Sequence, residues 1–100
     1  MEKPPSSAEV AYRRADERGD PGGAYNLGML LAERGDLGGA EAAYRRADER
    51  GHPGGAHKLG LLLKERGDLE GAKAAWRRAA DSPDQQVTTL ARDALDPTHD

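Results

Sequence analysis

Residues 8–39 read AEVAYRRADERGDPGGAYNLGMLLAERGDLGG, and residues 40–71 repeat that block of 32 with only seven changes. A third copy opens at Ala72 as AKAAWRRAA and then diverges. A chain that repeats itself at this interval is built from one supersecondary unit used several times, each unit burying its apolar face against its neighbours. Such an array presents extended surfaces, so the repeat points to an interaction scaffold before any single residue does.

Within one unit, Pro21-Gly22-Gly23 leads into AYNLGMLLAERG, where Ala24, Leu27, Leu30 and Leu31 recur at helical spacing and Gly35 marks the stop. Proline suits the first turn of a helix because the N–H it lacks has no intrahelical partner there. Asp36 stands where an N-cap is wanted, and Leu37, Ala40, Ala43, Tyr44 and Ala47 form a second apolar stripe ending before Gly51. Two helices joined by so short a Gly-Asp turn pack antiparallel. Gly28 and Ala40 are small enough to let them approach closely, and Tyr44 is expected to fill the space between successive hairpins.

The next unit repeats every element through Pro53, Leu59, Gly60, Gly67, Asp68, Leu69, Ala72 and Trp76. Ala8 to Arg18 match only the second helix of a unit. After Pro83, the residues Val87, Leu90, Ala91, Ala94 and Leu95 keep the apolar spacing without the Gly-rich lead. The spacing therefore predicts six helices, at about 7–18, 22–34, 37–50, 54–66, 69–81 and 84–95. They make one domain over 7–95: a half repeat at 7–18, full repeats at 21–50 and 53–81, and a polar capping helix at 84–95. A disordered tail at 1–6 and a second tail at 96–100 flank it.

Leu27-Gly28 on the first helix, followed by Ala40, Tyr44 and Ala47 on the second, resembles the tetratricopeptide repeat, and the match recurs at Leu59-Gly60, Ala72, Trp76 and Ala79. The join between hairpins is two residues shorter than in that family's 34-residue unit. This join, with the phrases AYNLG and AYRRADERGH, looks more like the related Sel-one-like repeats. The resemblance implies an all-α fold, a short right-handed solenoid of helical hairpins. Ala24 and Ala56 depart from it, standing where tetratricopeptide units often carry a large aromatic.

Composition narrows the function further. Charged residues make up 33% and hydrophobic ones 36%, with four aromatics and no Phe, so the core must be thin and rich in Ala and Leu. No cysteine is present, which excludes disulfides and thiolate metal sites and fits a reducing compartment. The opening MEKPPSS has no apolar stretch behind a basic one, and no apolar run approaches the ~18 residues of a membrane span. The expectation is a soluble, cytoplasmic protein that does not engage membranes.

Comparing the chain with itself locates a candidate surface, because both copies must solve the same packing problem. The seven differences are Val10/Ala42, Asp20/His52, Tyr25/His57, Asn26/Lys58, Met29/Leu61, Ala32/Lys64 and Gly38/Glu70. Tyr25, Met29 and Ala32 share one helix face, away from Leu27, Leu30 and Leu31. In tetratricopeptide-like arrays that face lines a concave groove holding peptides or partner helices, as the resemblance implies here. The candidate contacts are Tyr25, Asn26, Met29 and Glu33 from one hairpin and His57, Lys58, Leu61, Lys64 and Glu65 from the next. Tyr25 offers an aromatic surface, Met29 and Leu61 an adaptable apolar strip, and Lys58 with Lys64 a cationic side for a carboxylate or acidic peptide. Family members that grip a C-terminal carboxylate use Lys and Asn at set places on these helices; Tyr25 and Met29 occupy two of them, so that clamp is not expected.

Other constellations are weaker. Arg13-Arg14, Arg45-Arg46 and Arg77-Arg78 recur once per unit and could follow phosphates, but Glu9 and Glu41 lie four residues before Arg13 and Arg45, and Glu17 and Glu49 four after. Solvated ion pairs explain them, and the net charge of −3 also argues against nucleic acid. His52 and His57 flank a Pro-Gly-Gly turn without metal-ligand spacing, and PGG lacks the rest of a phosphate loop. The three serines, Ser6, Ser7 and Ser82, sit near predicted ends, so no catalytic set, metal or cofactor is expected. The reading is a non-catalytic protein-interaction scaffold. The alternatives are a segment of a larger regulator, or a repeat that associates with another copy through the apolar edge at Val10 and Tyr12.

Overall fold

Capping side chains and left-handed glycines set the limits of most helices. In the computed structural model, which describes residues 4–81 and 85–95, the regular structure is entirely helical: α1 (Ser7–Glu17), α2 (Pro21–Glu33), α3 (Leu37–Glu49), α4 (Pro53–Arg66), α5 (Leu69–Ala80) and α6 (Gln85–Leu95). Ser6 Oγ accepts from the Glu9 N–H at 3.1 Å, and Asp20, Asp36 and Asp68 each accept from a glycine N–H at 2.9 Å at the starts of α2, α3 and α5. At the start of α4 a histidine takes this place, His52 Nδ1 accepting from the Gly55 N–H at 3.0 Å. Each such bond satisfies one of the amide donors that a helix N-terminus leaves free.

Gly35 and Gly67, with φ of 81° and 93°, turn the chain between the paired helices α2/α3 and α4/α5. A side chain there would meet the left-handed penalty of about 1 kcal/mol. The observed limits lie within a residue of those predicted from spacing. Proline is itself the first residue of α2 and α4, its fixed φ matching helical geometry. The expected start of the last helix at 84, Pro83, residues 1–3 of the N-terminal tail and the tail at 96–100 lie outside the described residues.

Helices adjacent in sequence pack against one another in order, α1 on α2 through α5 on α6, and α4 also touches α6. The result is elongated, with extents of 47 × 28 × 18 Å. One continuous core runs through it, built on Leu27, Leu31, Tyr44, Leu59, Leu63 and Trp76 with alanines between them. Each fully buried leucine contributes roughly 1.5–3 kcal/mol, and the alanines chiefly allow close approach.

The close approaches lie within the helix pairs. A Cβ at Gly28 would come 2.6 Å from the Tyr44 ring, and one at Gly60 would come closer still to the Trp76 indole. The Tyr44 ring is thus seated against the helix paired with its own, rather than only between successive pairs as the sequence suggested. A smaller residue opposite a larger one is the requirement, and glycine meets it fully. Among the described residues no helix is long and apolar enough to cross a membrane.

Candidate partner-binding face

The side chains singled out on α2 and α4 fall into three environments. Met29 and Leu61, one repeat apart, are 36% and 37% exposed, among the largest apolar side chains that reach solvent. Glu33, Lys64 and Glu65 are exposed, while Asn26, His57 and Lys58 are half-buried. Lys58 and Lys64 place positive charge beside Leu61, and Glu33 places negative charge near Met29. The same repeat position thus presents an apolar side chain on both helices, with lysines near it on α4 and a carboxylate near it on α2.

Tyr25 behaves differently from the sequence expectation of an open aromatic surface. Its ring stacks on His52 at 4.5 Å between centroids and 17° between planes, and it lies tilted against Tyr44 at 6.0 Å. Half-buried, it links α2 and α3 to the first turn of α4. Gly54 leaves room for this stack, since a Cβ there would approach both His52 and Tyr25. Burial pushes the Tyr44 phenol up to about 12, with the neighbouring Tyr25 and the Glu33 carboxylate adding to the effect. Burial also holds His52 below its usual value, against smaller opposing pulls from its own backbone and from Asp20. His57 is lowered as well, by burial first and by the charge on Lys58 second. Both shifts favour the neutral imidazole, which leaves Lys58 and Lys64 as the cationic groups of this face.

Glu65 follows Leu61 by one turn of α4. It lines a groove of about 310 Å³ between α3 and α4 with Leu37, Gly38, Glu41, Leu62 and Arg66. Leu37 and its repeat counterpart Leu69, at the first positions of α3 and α5, are 51% and 53% exposed. Sequence reasoning took both leucines as part of the buried stripe. Their helical phase allowed that, but at a helix start no preceding turn covers them.

The repeated arginines are held by acids on neighbouring helices as well as on their own. Within helices, Glu9 bonds Arg13 at 2.9 Å and Glu41 bonds Arg45 at 3.3 Å, as the four-residue spacing predicts. Between helices, Arg34 pairs with Glu9 and Arg66 with Glu41, an offset of 25 residues in each case. Arg46 and Arg50 both reach Asp16, and Arg78 reaches Asp48. Hydrogen bonds from Arg46 above all, and then from Arg50, keep the Asp16 carboxyl below its ordinary range despite its burial. Glu9 is lowered likewise by Arg13 and then Arg34. The 25- and 30-residue offsets recur in both copies, so the repeat carried a signal for them; the Arg50–Asp16 pair does not recur, position 82 being serine. Much of the possible basic ridge is thereby neutralised.

Among the described residues no group of three His, Cys, Asp or Glu side chains is arranged to hold a metal ion. Comparison of the sequence with protein-family models, with curated proteins and with solved structures gives no match.

Proposed function

We propose that this chain is a non-catalytic, cytoplasmic protein-interaction module of tetratricopeptide-like architecture with Sel-one-like joins, which holds an extended peptide or a partner helix across α2 and α4. The observation that carries this reading is the pair Met29 and Leu61, solvent-exposed at the same repeat position with lysines beside the second. Methionine and leucine adapt to different apolar side chains, and Lys58 with Lys64 select a carboxylate at one end of the ligand. Tyr25, stacked on His52 and set against Tyr44, fixes α2 relative to the start of α4. Two repeats bury little area, so a single copy binds weakly, at the transient end of the range for protein complexes.

Selection from a displayed peptide library tests this directly. Peptides enriched on the wild-type chain are expected to combine a bulky apolar residue with an acidic one, and to lose binding to a Met29→Glu/Leu61→Glu variant that keeps its helical circular dichroism. Recovery of the same peptides by both proteins, or of none, would overturn the assignment of this face.

A further inference from the structure

Ala8, Ala11, Tyr12 and Ala15 of α1 match Ala40, Ala43, Tyr44 and Ala47 of α3 in type and repeat position. In α3 all four are buried; in α1 the first two are exposed and Tyr12 and Ala15 are half-buried. The neighbour makes the difference. α3 has α2 on one side and α4 on the other, whereas among the described residues α1 packs extensively on α2 alone and meets α3 through the ion pairs at Asp16. The charges repeat the pattern. Arg46 and Arg50 of α3 reach back to Asp16, but their counterparts Arg14 and Arg18 have no acidic partner among the described residues.

The opposite end of the array lacks the matching groups. α6 begins 32 residues after α4, and Ala91 is buried at the position of Leu59, so the two helices are in register. Arg92 consequently stands where Gly28 and Gly60 admit the rings of Tyr44 and Trp76. Ala80 stands at the position of Asp16 and Asp48, and Lys73 at that of Glu9 and Glu41. Among the described residues, the C-terminal edge of a second copy thus brings an arginine toward Tyr12 and an alanine, not a carboxylate, in the place of Asp16.

We propose that the open side of α1 is a docking surface for a helical hairpin of a different chain, one with a glycine against the Tyr12 ring and a carboxylate between Arg14 and Arg18. The argument is charge and shape complementarity: α3 displays the same residues with their seats filled, and Asp16 and Gly28 are the groups that fill them. The exposed alanines admit a helix at close range, the aromatic ring fixes its register, and the two guanidiniums select an acid. This surface lies on a different helix from the Met29 and Leu61 strip and does not depend on it.

The probe is a synthetic peptide of residues 7–36, which supplies Asp16 and Gly28. It carries Arg14→Glu and Arg18→Glu so that it cannot accept another peptide. Titrated into the isotopically labelled full chain, it is expected to give saturable amide shifts centred on α1. Asp16→Lys in the peptide, or Arg14→Glu/Arg18→Glu in the chain, weakens binding at least about tenfold, and joining the two reversed partners restores part of it. Both chain positions are exposed and unpaired, so the fold survives the change, as circular dichroism checks. A Met29→Ala/Leu61→Ala chain binds the peptide as the wild type does. The proposal is overturned by the absence of saturable shifts, by shifts centred on α4, or by indifference to both charge reversals. Wild-type dimers mapped to α1 by sedimentation and amide shifts would also overturn it, since a second copy would then be the occupant.

Discussion

Arg46 grips the carboxylate of Asp16 from thirty residues further along the chain, its Nε donating to both oxygens at 3.1 Å and its Nη2 to Oδ2 at 2.6 Å. Arg50 donates to Oδ1 at 2.7 Å. With its side chain only 10% exposed, Asp16 needs these partners, and through them α1 is tied to α3. Arg78 ties α5 to α3 through Asp48 with the same offset. Bidentate arginine is suited to this because its planar fork matches both carboxylate oxygens at once.

Removing that acceptor strands two cations. Asp16→Ala is expected to lower the free energy of unfolding by about 1.5 kcal/mol, a figure already reduced for the partial exposure of the arginines. Asp48→Ala, with one guanidinium to lose, should cost roughly half as much. Denaturant titration followed by the single tryptophan measures both. A cycle with Arg46→Ala should return a coupling above about 0.5 kcal/mol; additive losses would show that the pair contributes nothing of its own.

Acid acts on the same contact. The Asp16 carboxyl is lowered in the folded chain, so its contribution is present above the unfolded value of about 3.9 and disappears as pH falls through the folded one. As pH falls below about 4 the wild type should lose stability more steeply than Asp16→Asn. Parallel curves for the two proteins would contradict this.

His52 sets a second, milder pH dependence. Its Nδ1 must be unprotonated to cap α4, and its folded value is lowered, so its stabilisation is complete above the unfolded value of about 6.5. That stabilisation is lost as pH drops through the folded value. His52→Asp, which installs the residue found at Asp20, should abolish this part of the profile while keeping the cap; His57→Gln removes the contribution of the other lowered imidazole. The thermal midpoint between pH 7 and pH 5 is the measurement, and a wild-type profile as flat as that of the double variant would refute the assignment.

Two glycines should respond in opposite directions. Alanine at Gly28 gains about 1 kcal/mol of helix propensity but drives a methyl to within 2.6 Å of the Tyr44 ring, an overpacking worth about 1–3 kcal/mol, so the net change is destabilising. Alanine at Gly38 has nothing within 4 Å of its Cβ and should stabilise by about 0.5 kcal/mol. Equal thermal shifts in the two variants would mean that the ring yields freely.

Truncating the proposed strip should leave the fold intact. Met29→Ala and Leu61→Ala remove side chains more than a third exposed, and each is expected to cost less than about 1 kcal/mol, against 2–5 kcal/mol for Leu27→Ala in the core. Losses of similar size at all three positions would show that the strip is part of the core.

Local chemistry made the helices legible. Pro21 and Pro53 at helix starts, the capping Asp36 and Asp68, and the left-handed Gly35 and Gly67 act within a few residues of chain, so their consequences can be read without any knowledge of the neighbours. The internal repeat added the register of the packing faces, and comparing Met29 with Leu61 singled out positions that are exposed in both copies. The sequence by itself determined, to within a residue, where α1 to α5 begin, most of the stripe that α2 to α5 bury and which positions vary between units. Tertiary structure decided that Tyr25 stacks on His52, that Glu65 and Leu37 line one groove, that Arg46 answers Asp16, and that Ala8 and Ala11 are exposed where Ala40 and Ala43 are buried. Those outcomes depend on the distance and rotation between helices some 25–34 residues apart in the chain, which are set by how glycine and alanine let the backbones approach, and no local rule carries that information.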